Sequence, residues 1–494
     1  MSVKVAAHER ELSDADAALA IAPGDVAARL ARARALYALG RDTDALQAYL
    51  DVLRIDPART VALTSLATLA IKTGHREAAR TALTQAVRVR PDSAEAHANL
   101  ATLLSDDGDF VAAREHYDEA LRLDPHQRDA HRGLAVLLLR LGDDEGARKY
   151  ADLGLLGRAE EWPYRGTGKP ISVLLVLSAL GCNAPIEQFL DDRVFSKWTL
   201  VPEFFDARAK MPPHDVLFHC VGDADRGASA IDAAEALVAH STSPLLNPPS
   251  RVRQTSRSAV AERLRPVPGV VTPRIAEWSR DALSAPEAPG ALAEGGFTWP
   301  LLLRSPGFHA GAHFVKVDDP SSLGRAVENL PGTTLLVIQF LDTRGRDGKF
   351  RKYRVMMVGG RLYPLHLAVS ANWKVHYFSA DMADRPEHRA EDEAFLRDMP
   401  GVFGLETTQA LERVRELLAL DYGGIDFTLD AHRRVVVFEA NAAMAVVAPG
   451  EHERWAYRIA PVRRIHDAVH RMLLTTAGRT GEGVQSNNVM PGPC

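Results

Sequence analysis

The hydrophobic and polar positions change rhythm near residue 162. Before it, small apolar residues recur on one long period. Ala33, Ala67, Ala101 and Ala135 are 34 residues apart, and so are Ala45, Ala79, Ala113 and Ala147. Gly40, Gly74, Gly108 and Gly142 keep that spacing, as do Pro23, Pro57, Pro91 and Pro125. Four registers at one period predict a stack of paired helices. Alanine lets helices approach, glycine turns the chain between them, and proline closes each unit. The units run over residues 26–59, 60–93, 94–127 and 128–161, with a lone helix before Pro23. The fourth decays after Ala147, where Ala151, Gly154 and Gly157 stand, and such atypical ends cap a stack.

Residues 162–170, WPYRGTGKP, read as a linker. Beyond it, short apolar runs alternate with helical stretches. Residues 171–178, 215–221 and 244–247 suit strands, and 185–190 and 231–240 suit helices. This alternation predicts a small parallel α/β domain. Its strand-end loops, around Gly181-Cys182-Asn183 and Cys220-Val221-Gly222-Asp223, are where such sheets bind ligands. Cys182 could be a nucleophile, but no histidine stands beside it in sequence, and a small buried cysteine is the commoner case.

Residues 251–275 read as an amphipathic helix ended by prolines. Residues 299–305 form a strand, 306–312 a loop with two glycines, and 314–317 a further strand, an arrangement that can fold over phosphates through backbone N–H groups. Residues 335–341, LLVIQFL, give another strand. Residues 352–359 and 361–364 form a hairpin through Gly359-Gly360. Residues 364–381 crowd His366, Ser370, Asn372, Trp373, Lys374 and His376 together, either a surface hairpin or a substrate loop. His366 and His376 lack a further ligand at metal-binding spacing.

The last hairpin, residues 420–447, concentrates acidic chemistry. Ile425, Phe427 and Leu429 alternate with Asp426, Thr428 and Asp430. Pairing Leu429 with Arg434 across a four-residue loop sets Ile425 opposite Phe438 and Phe427 opposite Val436. Asp426, Glu439 and Asn441 then share the other face, the two acids as diagonal neighbours about 7–8 Å apart. Two carboxylates and an amide oxygen suit Mg²⁺ together with substrate phosphates. A one-residue slip would turn one strand's acids away.

Composition adds little. A chain of 494 residues implies two to four domains. A net charge of −5 gives no sign of a nucleic-acid binder. The start has no apolar signal segment, no apolar run could span a bilayer, and three cysteines offer no disulfide framework. A cytoplasmic location and no membrane association are expected.

The 34-residue pattern resembles the tetratricopeptide repeat family, with Tyr49 and Tyr117 at its aromatic positions and Leu83 departing. The resemblance implies a groove that docks a peptide or protein partner, against the alternative of a passive spacer or dimerisation platform. Asn99 occupies a carboxylate-clamp position, but Ala31, Ser65 and Gly133 stand at its equivalents, so a clamp is not expected. From residue 170 to 475 the order of strand, glycine loop, QFL strand, YRVMMVGG hairpin, GGIDF and FEAN resembles the ATP-grasp superfamily, most of all RimK-like and glutathione-synthetase-like ligases.

That resemblance implies a multidomain protein. An all-α solenoid with an N-terminal half-repeat (residues 1–161) and a linker (162–170) would precede an α/β pre-ATP-grasp domain (171–250). An α+β ATP-grasp domain (251–474) and a disordered tail (475–494) would follow. It implies ATP and Mg²⁺ (or Mn²⁺) as cofactors, with Asp426, Glu439 and Asn441 holding the metal. Arg304 and Arg257 would hold phosphates, and Gln339, Phe340 and Leu341 adenine. Arg354 and Lys374 would neutralise the transferred phosphoryl group. The implied activity is ligation of a carboxylate to an amine (or another nucleophile) through an acyl-phosphate, on a peptide, protein or amino-acid-like substrate docked with help of the array. A non-catalytic nucleotide-binding scaffold and a kinase are the alternatives. Two family lysines are arginines here, a different donor geometry. Lys352 and Tyr353 stand where an aspartate is frequent, and Ala442-Ala443-Met444 replace a serine-proline-glycine beside the acceptor.

Overall fold

The computed structural model describes residues 3–72, 75–206, 210–306, 308, 311–376, 380–449 and 452–479. Gly74 of the repeat, part of the glycine loop and residues 480–494 of the expected tail, Cys494 included, lie outside this set; Thr475 and Thr476, expected to open that disordered tail, instead end the helix Ile459–Thr476. The chain divides into two compact units, within residues 1–158 and 159–484.

The first unit is helical. A long helix α1 (Val3–Ile21) precedes four pairs: α2 (Val26–Ala38) with α3 (Asp42–Ile55), α4 (Thr60–Lys72) with α5 (Arg76–Val89), α6 (Ala94–Asp107) with α7 (Phe110–Leu123), and α8 (Arg128–Arg140) with α9 (Asp144–Leu153). Both periodic alanine sets are fully buried, because each alanine marks a helix–helix approach. Gly40, Gly108 and Gly142 adopt left-handed backbone between the paired helices. Helix starts are capped in a repeating way: Asp25, Ser93, Asp109 and Asp143 each accept a backbone N–H of the following turn. Leu83 is buried like Tyr49 and Tyr117, so bulk and not aromaticity fills that position. Gly133 has its own reason: a Cβ there would meet the Tyr117 ring at 2.2 Å.

The second unit holds three sheets. In the first, β2 (Ile171–Val176), β3 (Phe195–Leu200), β4 (Val216–His219) and β5 (Leu245–Leu246) are parallel in the order β3-β2-β4-β5. β1 (Glu160–Trp162) adds antiparallel to β3. The repeat period assigns residues 160–161 to the last helical unit; they pair into this sheet instead. β3, FSKWTL, has mixed polarity and no clear alternation, and pattern alone misses it. The helix expected at 185–190 is one short 3₁₀ turn, Ile186–Phe189. The helix expected over 251–275 is also broken. Ser256 takes an extended conformation and caps a new helix, Arg257–Leu264, through Ala259 N–H.

β6 (Val270–Val271) joins the third sheet. The second consists of β7 (Ile275–Ser279), β8 (Leu301–Arg304), β9 (Phe314–Val317) and β10 (Thr334–Gln339), antiparallel in the order β7-β10-β8-β9. Leu301, Leu303, Leu335 and Val337 face a core with Leu283 and Leu292. By strand alternation Leu302, Arg304 and Ile338 face the other way.

The third sheet contains β11 (Phe350–Val358), β12 (Arg361–Ser370), β13 (Tyr422–Leu429) and β14 (Val435–Asn441), in the order β12-β11-β13-β14-β6. Gly359 and Gly360 both have positive φ, as the two-residue turn requires. One face packs Tyr353, Val355, Leu367, Ile425, Phe427 and Val437 against the helices over residues 386–418. Tyr353 stacks on Phe427 with centroids 5.5 Å apart.

The β13–β14 register departs from the simple hairpin. Leu429 pairs with Val435 and Phe427 with Val437, one residue beyond the expected pairing. A bulge then absorbs Phe438, so Asp426 lies directly opposite Glu439 and Ile425 opposite Ala440. The expected pairs Ile425–Phe438 and Phe427–Val436 do not form. The two single-residue shifts add to two, which restores the side on which the acids face. The bulge also turns Phe438 out of the core, leaving it 40% exposed. Among the described residues no helix is long and apolar enough to cross a membrane.

Candidate functional site

A cavity of about 340 Å³ lies between the second and third sheets. Its apolar part is a row across three strands, Ile275, Ile338 and Leu302, which are cross-strand partners. Val436 and Phe438 of β14 line it from the third sheet, so the slot has two apolar walls. Gln339, Phe340 and Leu341 lead out of β10 along its edge. The Gln339 side chain is committed elsewhere. Its oxygen accepts from Thr298 N–H at 2.9 Å, and its nitrogen donates to the carbonyls of Thr298 at 3.1 Å and Phe340 at 3.2 Å. Both amide hydrogens are thereby used, so Gln339 anchors the segment before β8.

The polar end is built by register. Arg354 is the cross-strand partner of His366 on one side and Asp426 on the other, and Asp426 is the partner of Glu439. His366, Arg354, Asp426 and Glu439 thus form one row across β12, β11, β13 and β14. Bulges border this row in both outer pairings, next to Arg354 and next to Asp426. Bulges commonly re-aim side chains near such sites.

Arg354 forks onto Asp426 with distances of 2.6 and 2.9 Å, and Lys352 approaches the same carboxylate at 3.0 Å. Burial pushes the Asp426 carboxyl up, but Arg354 and Lys352 together hold it well below the usual carboxylate range. Burial works against the Arg354 charge, and Asp426 more than restores it. Arg257, at the start of its helix, bridges Asp225 at 2.9 Å and Glu439 at 2.6 Å. Glu439 also accepts from the Asn441 amide at 2.8 Å. Arg304 is buried, donates to the Phe308 carbonyl and lies over the Phe314 ring at 5.5 Å. Burial and the neighbouring Arg257 lower its pKa.

The segment after β12 ties the two sheets together. Lys374 donates to the Phe314 carbonyl at 3.2 Å, and the Trp373 ring meets Phe314 and Phe340 edge-on. The structure therefore brings Arg257, Arg304, Phe340, Leu341, Arg354, Lys374, Asp426, Glu439 and Asn441 to one cavity. Gln339 borders it with its amide engaged. Cys182 is not among the lining residues. Sequence reasoning missed Lys352, Phe438 and Asp225. The DAD of residues 223–225, in the loop after β4, carried a usable signal, because ligands gather at such strand ends. Phe438 carried none, since its exposure follows from the bulge.

Among the described residues no three of His, Cys, Asp and Glu converge as a metal set. Asp426 and Glu439 are two facing carboxylates, and the Asn441 oxygen, which accepts from Ala443 N–H at 3.0 Å while its amide nitrogen faces Glu439, keeps one lone pair for a third contact. That all-oxygen donor set fits a hard cation such as Mg²⁺, which takes one or two carboxylates and completes its shell with phosphate and water. In this arrangement Arg354, Lys352 and Arg257 balance the two acids.

A tetratricopeptide repeat family model matches residues 12–60, 64–125 and 99–164. No curated protein matches the chain. Among solved structures, MamA from Desulfovibrio magneticus is 21% identical, covering 30% of this chain and 84% of its own, with a TM-score of 0.28. YrrB, a TPR protein with an unusual peptide-binding site, is 20% identical over 31% of this chain and 78% of its own, at 0.27. Pseudomonas aeruginosa pilF is 22% identical over 32% and 71%, at 0.29. The N-terminal region carries tetratricopeptide repeats, and a mixed α/β region with several sheets follows them.

Proposed function

We propose that the second unit is an ATP-grasp ligase that joins a carboxylate to an amine, with release of ADP and phosphate. One observation carries this reading: an apolar slot between the second and third sheets runs into a cluster of arginines, lysines and facing acids. The flat slot of Ile275, Ile338, Leu302 and Phe438 suits a purine ring, with main-chain groups of Phe340 and Leu341 at its edge. Arg304, Arg257 and Lys374 suit a polyphosphate. Asp426, Glu439 and Asn441 would hold Mg²⁺, which supplies charge neutralisation to the phosphates when bound. The arginines orient the reacting groups, and the two sheets exclude water from them. Such positioning and charge stabilisation make up most of what phosphoryl transfer asks of a protein. The repeat array would dock a peptide or protein partner.

A nucleotide-binding scaffold without turnover is the second reading. It is favoured by the closed pairs Arg354–Asp426 and Arg257–Glu439, which already satisfy both acids. ADP release by the full chain over a panel of carboxylates and amines separates the two. The ligase reading expects Mg²⁺-dependent release that falls about a hundredfold in Asp426→Asn plus Glu439→Gln, ~2.7 kcal/mol of barrier. A loss under about tenfold counts against it. ATP binding without release across the panel selects the scaffold.

A further inference from the structure

The two facing acids differ in how much of each carboxylate is already used. Both oxygens of Asp426 are taken by cations. Arg354 Nε donates to Oδ1 at 2.6 Å and Nη2 to Oδ2 at 2.9 Å, and Lys352 lies 3.0 Å from Oδ2. The Asp426 side chain is 4% exposed. Glu439 is engaged through one oxygen. Its Oε1 accepts from Arg257 at 2.6 Å and from the Asn441 amide at 2.8 Å. Among the described residues nothing donates to its Oε2, and the Glu439 side chain is 27% exposed. Glu439 and Asn441 both line the cleft.

Local charge divides in the same way. Arg257 serves two acids, Glu439 and Asp225, so this group carries one negative charge in excess. Asp426 serves two cations, Arg354 and Lys352, so that group carries one positive charge in excess. In a cleft that water only partly reaches, such charges are weakly screened. A divalent cation is attracted to the first group and repelled by the second. Asn441 belongs to the first, because its amide nitrogen donates to Glu439 and its oxygen keeps a lone pair.

We propose that the cation is seated directly by Glu439 Oε2 and Asn441 Oδ1, while Asp426 makes no bond to it and serves as the fixed counter-ion of Arg354 and Lys352. This rests on the ligase reading and divides its three metal-side residues by role. The seat uses only atoms with capacity to spare, so neither ion pair has to open when the cation arrives. One carboxylate and one amide oxygen suit a cation that keeps several waters and takes the rest of its shell from phosphates. Freeing Asp426 would instead leave the Arg354 guanidinium buried without its partner, a change that such pairs resist strongly.

The test is Mn²⁺ binding to the full chain, followed by electron paramagnetic resonance with and without a non-hydrolysable ATP analogue. Mn²⁺ takes the same oxygen ligands as Mg²⁺. Glu439→Gln removes the charged seat. Arg354→Met plus Asp426→Asn removes the fork as a unit, which keeps the net charge of the cleft and strands neither partner. Circular dichroism checks that both variants fold. The expected result is Mn²⁺ binding weaker by about tenfold or more in Glu439→Gln, and within about threefold of the native chain in the fork variant. Unchanged binding in Glu439→Gln, an equal or larger loss in the fork variant, or no Mn²⁺ binding by the native chain in either condition overturns the proposal. The analogue is titrated separately on the same samples. Asymmetric Mn²⁺ binding without analogue binding leaves the seat standing and removes the ligase reading, and analogue binding with equal Mn²⁺ losses does the opposite.

Discussion

The repeat array and the cleft treat charge in opposite ways. In the array, pairs such as Arg41–Asp44 and Arg122–Glu119 lie on the surface, with both partners a third exposed or more. In the second unit, Arg458–Asp392 is 4% and 0% exposed, and Arg354–Asp426 is 21% and 4%. Exposed pairs gain little, because water screens them and two long side chains must be held still. Buried pairs are costly to form and costlier to break, because the survivor stays desolvated. The array is therefore stabilised by its alanine-lined helix contacts. The second unit instead holds paired charge inside.

Three measurements can break this contrast. All six tryptophans fall within residues 162–455, so their fluorescence follows the second unit alone. The largest effect is expected from Arg458→Met, which strands Asp392 in the interior. Urea unfolding followed by tryptophan fluorescence should show a loss of about 3–5 kcal/mol. A loss under about 1 kcal/mol would mean that the interior pair behaves like a surface one.

The next effect is one of pH. His219 is fully buried, its Nδ1 lies 2.9 Å from the Asn247 carbonyl, and burial pushes its pKa down to about 4. The unfolded chain takes up this proton near pH 6.5 and the folded chain only near 4. Between these values the unfolded state binds more protons, so stability falls as pH falls. The contribution is complete above pH 6.5 and lost by about pH 4, roughly 3 kcal/mol at 1.36 kcal/mol per unit. His219→Gln should flatten the stability profile in that window, and an unchanged slope would assign the acid sensitivity elsewhere. The smallest effect belongs to the array. Arg122→Ala should leave the circular-dichroism unfolding curve where it was, and a clear shift would give surface pairs a weight that the contrast denies them.

The two units also differ in how far their sequence can be read. In the array, contacts are local and repeat every 34 residues, so Ala33, Ala45 and their equivalents announce their burial. Gly133 was harder to read, because its reason is the Tyr117 ring packed against it. In the second unit, strands such as β10 and β13 were visible as apolar runs, but β3 was not. The long helix expected after residue 251 broke at Ser256, where a capping side chain outweighed helical periodicity. Gln339 shows the limit for single residues. A polar amide in an apolar strand reads as a ligand contact, yet a neighbouring backbone segment uses it.

The repeat period, most of the strands and the side on which Asp426, Glu439 and Asn441 face are legible in the chain alone. These follow from local periodicity, and a double register shift leaves facing unchanged. Pairing in three dimensions sets the row His366–Arg354–Asp426–Glu439 and the exposure of Phe438. Those depend on pairing register and on bulges, where residues far apart in the chain meet. A strand's own pattern fixes which side a residue faces, but only its partners fix what stands beside it.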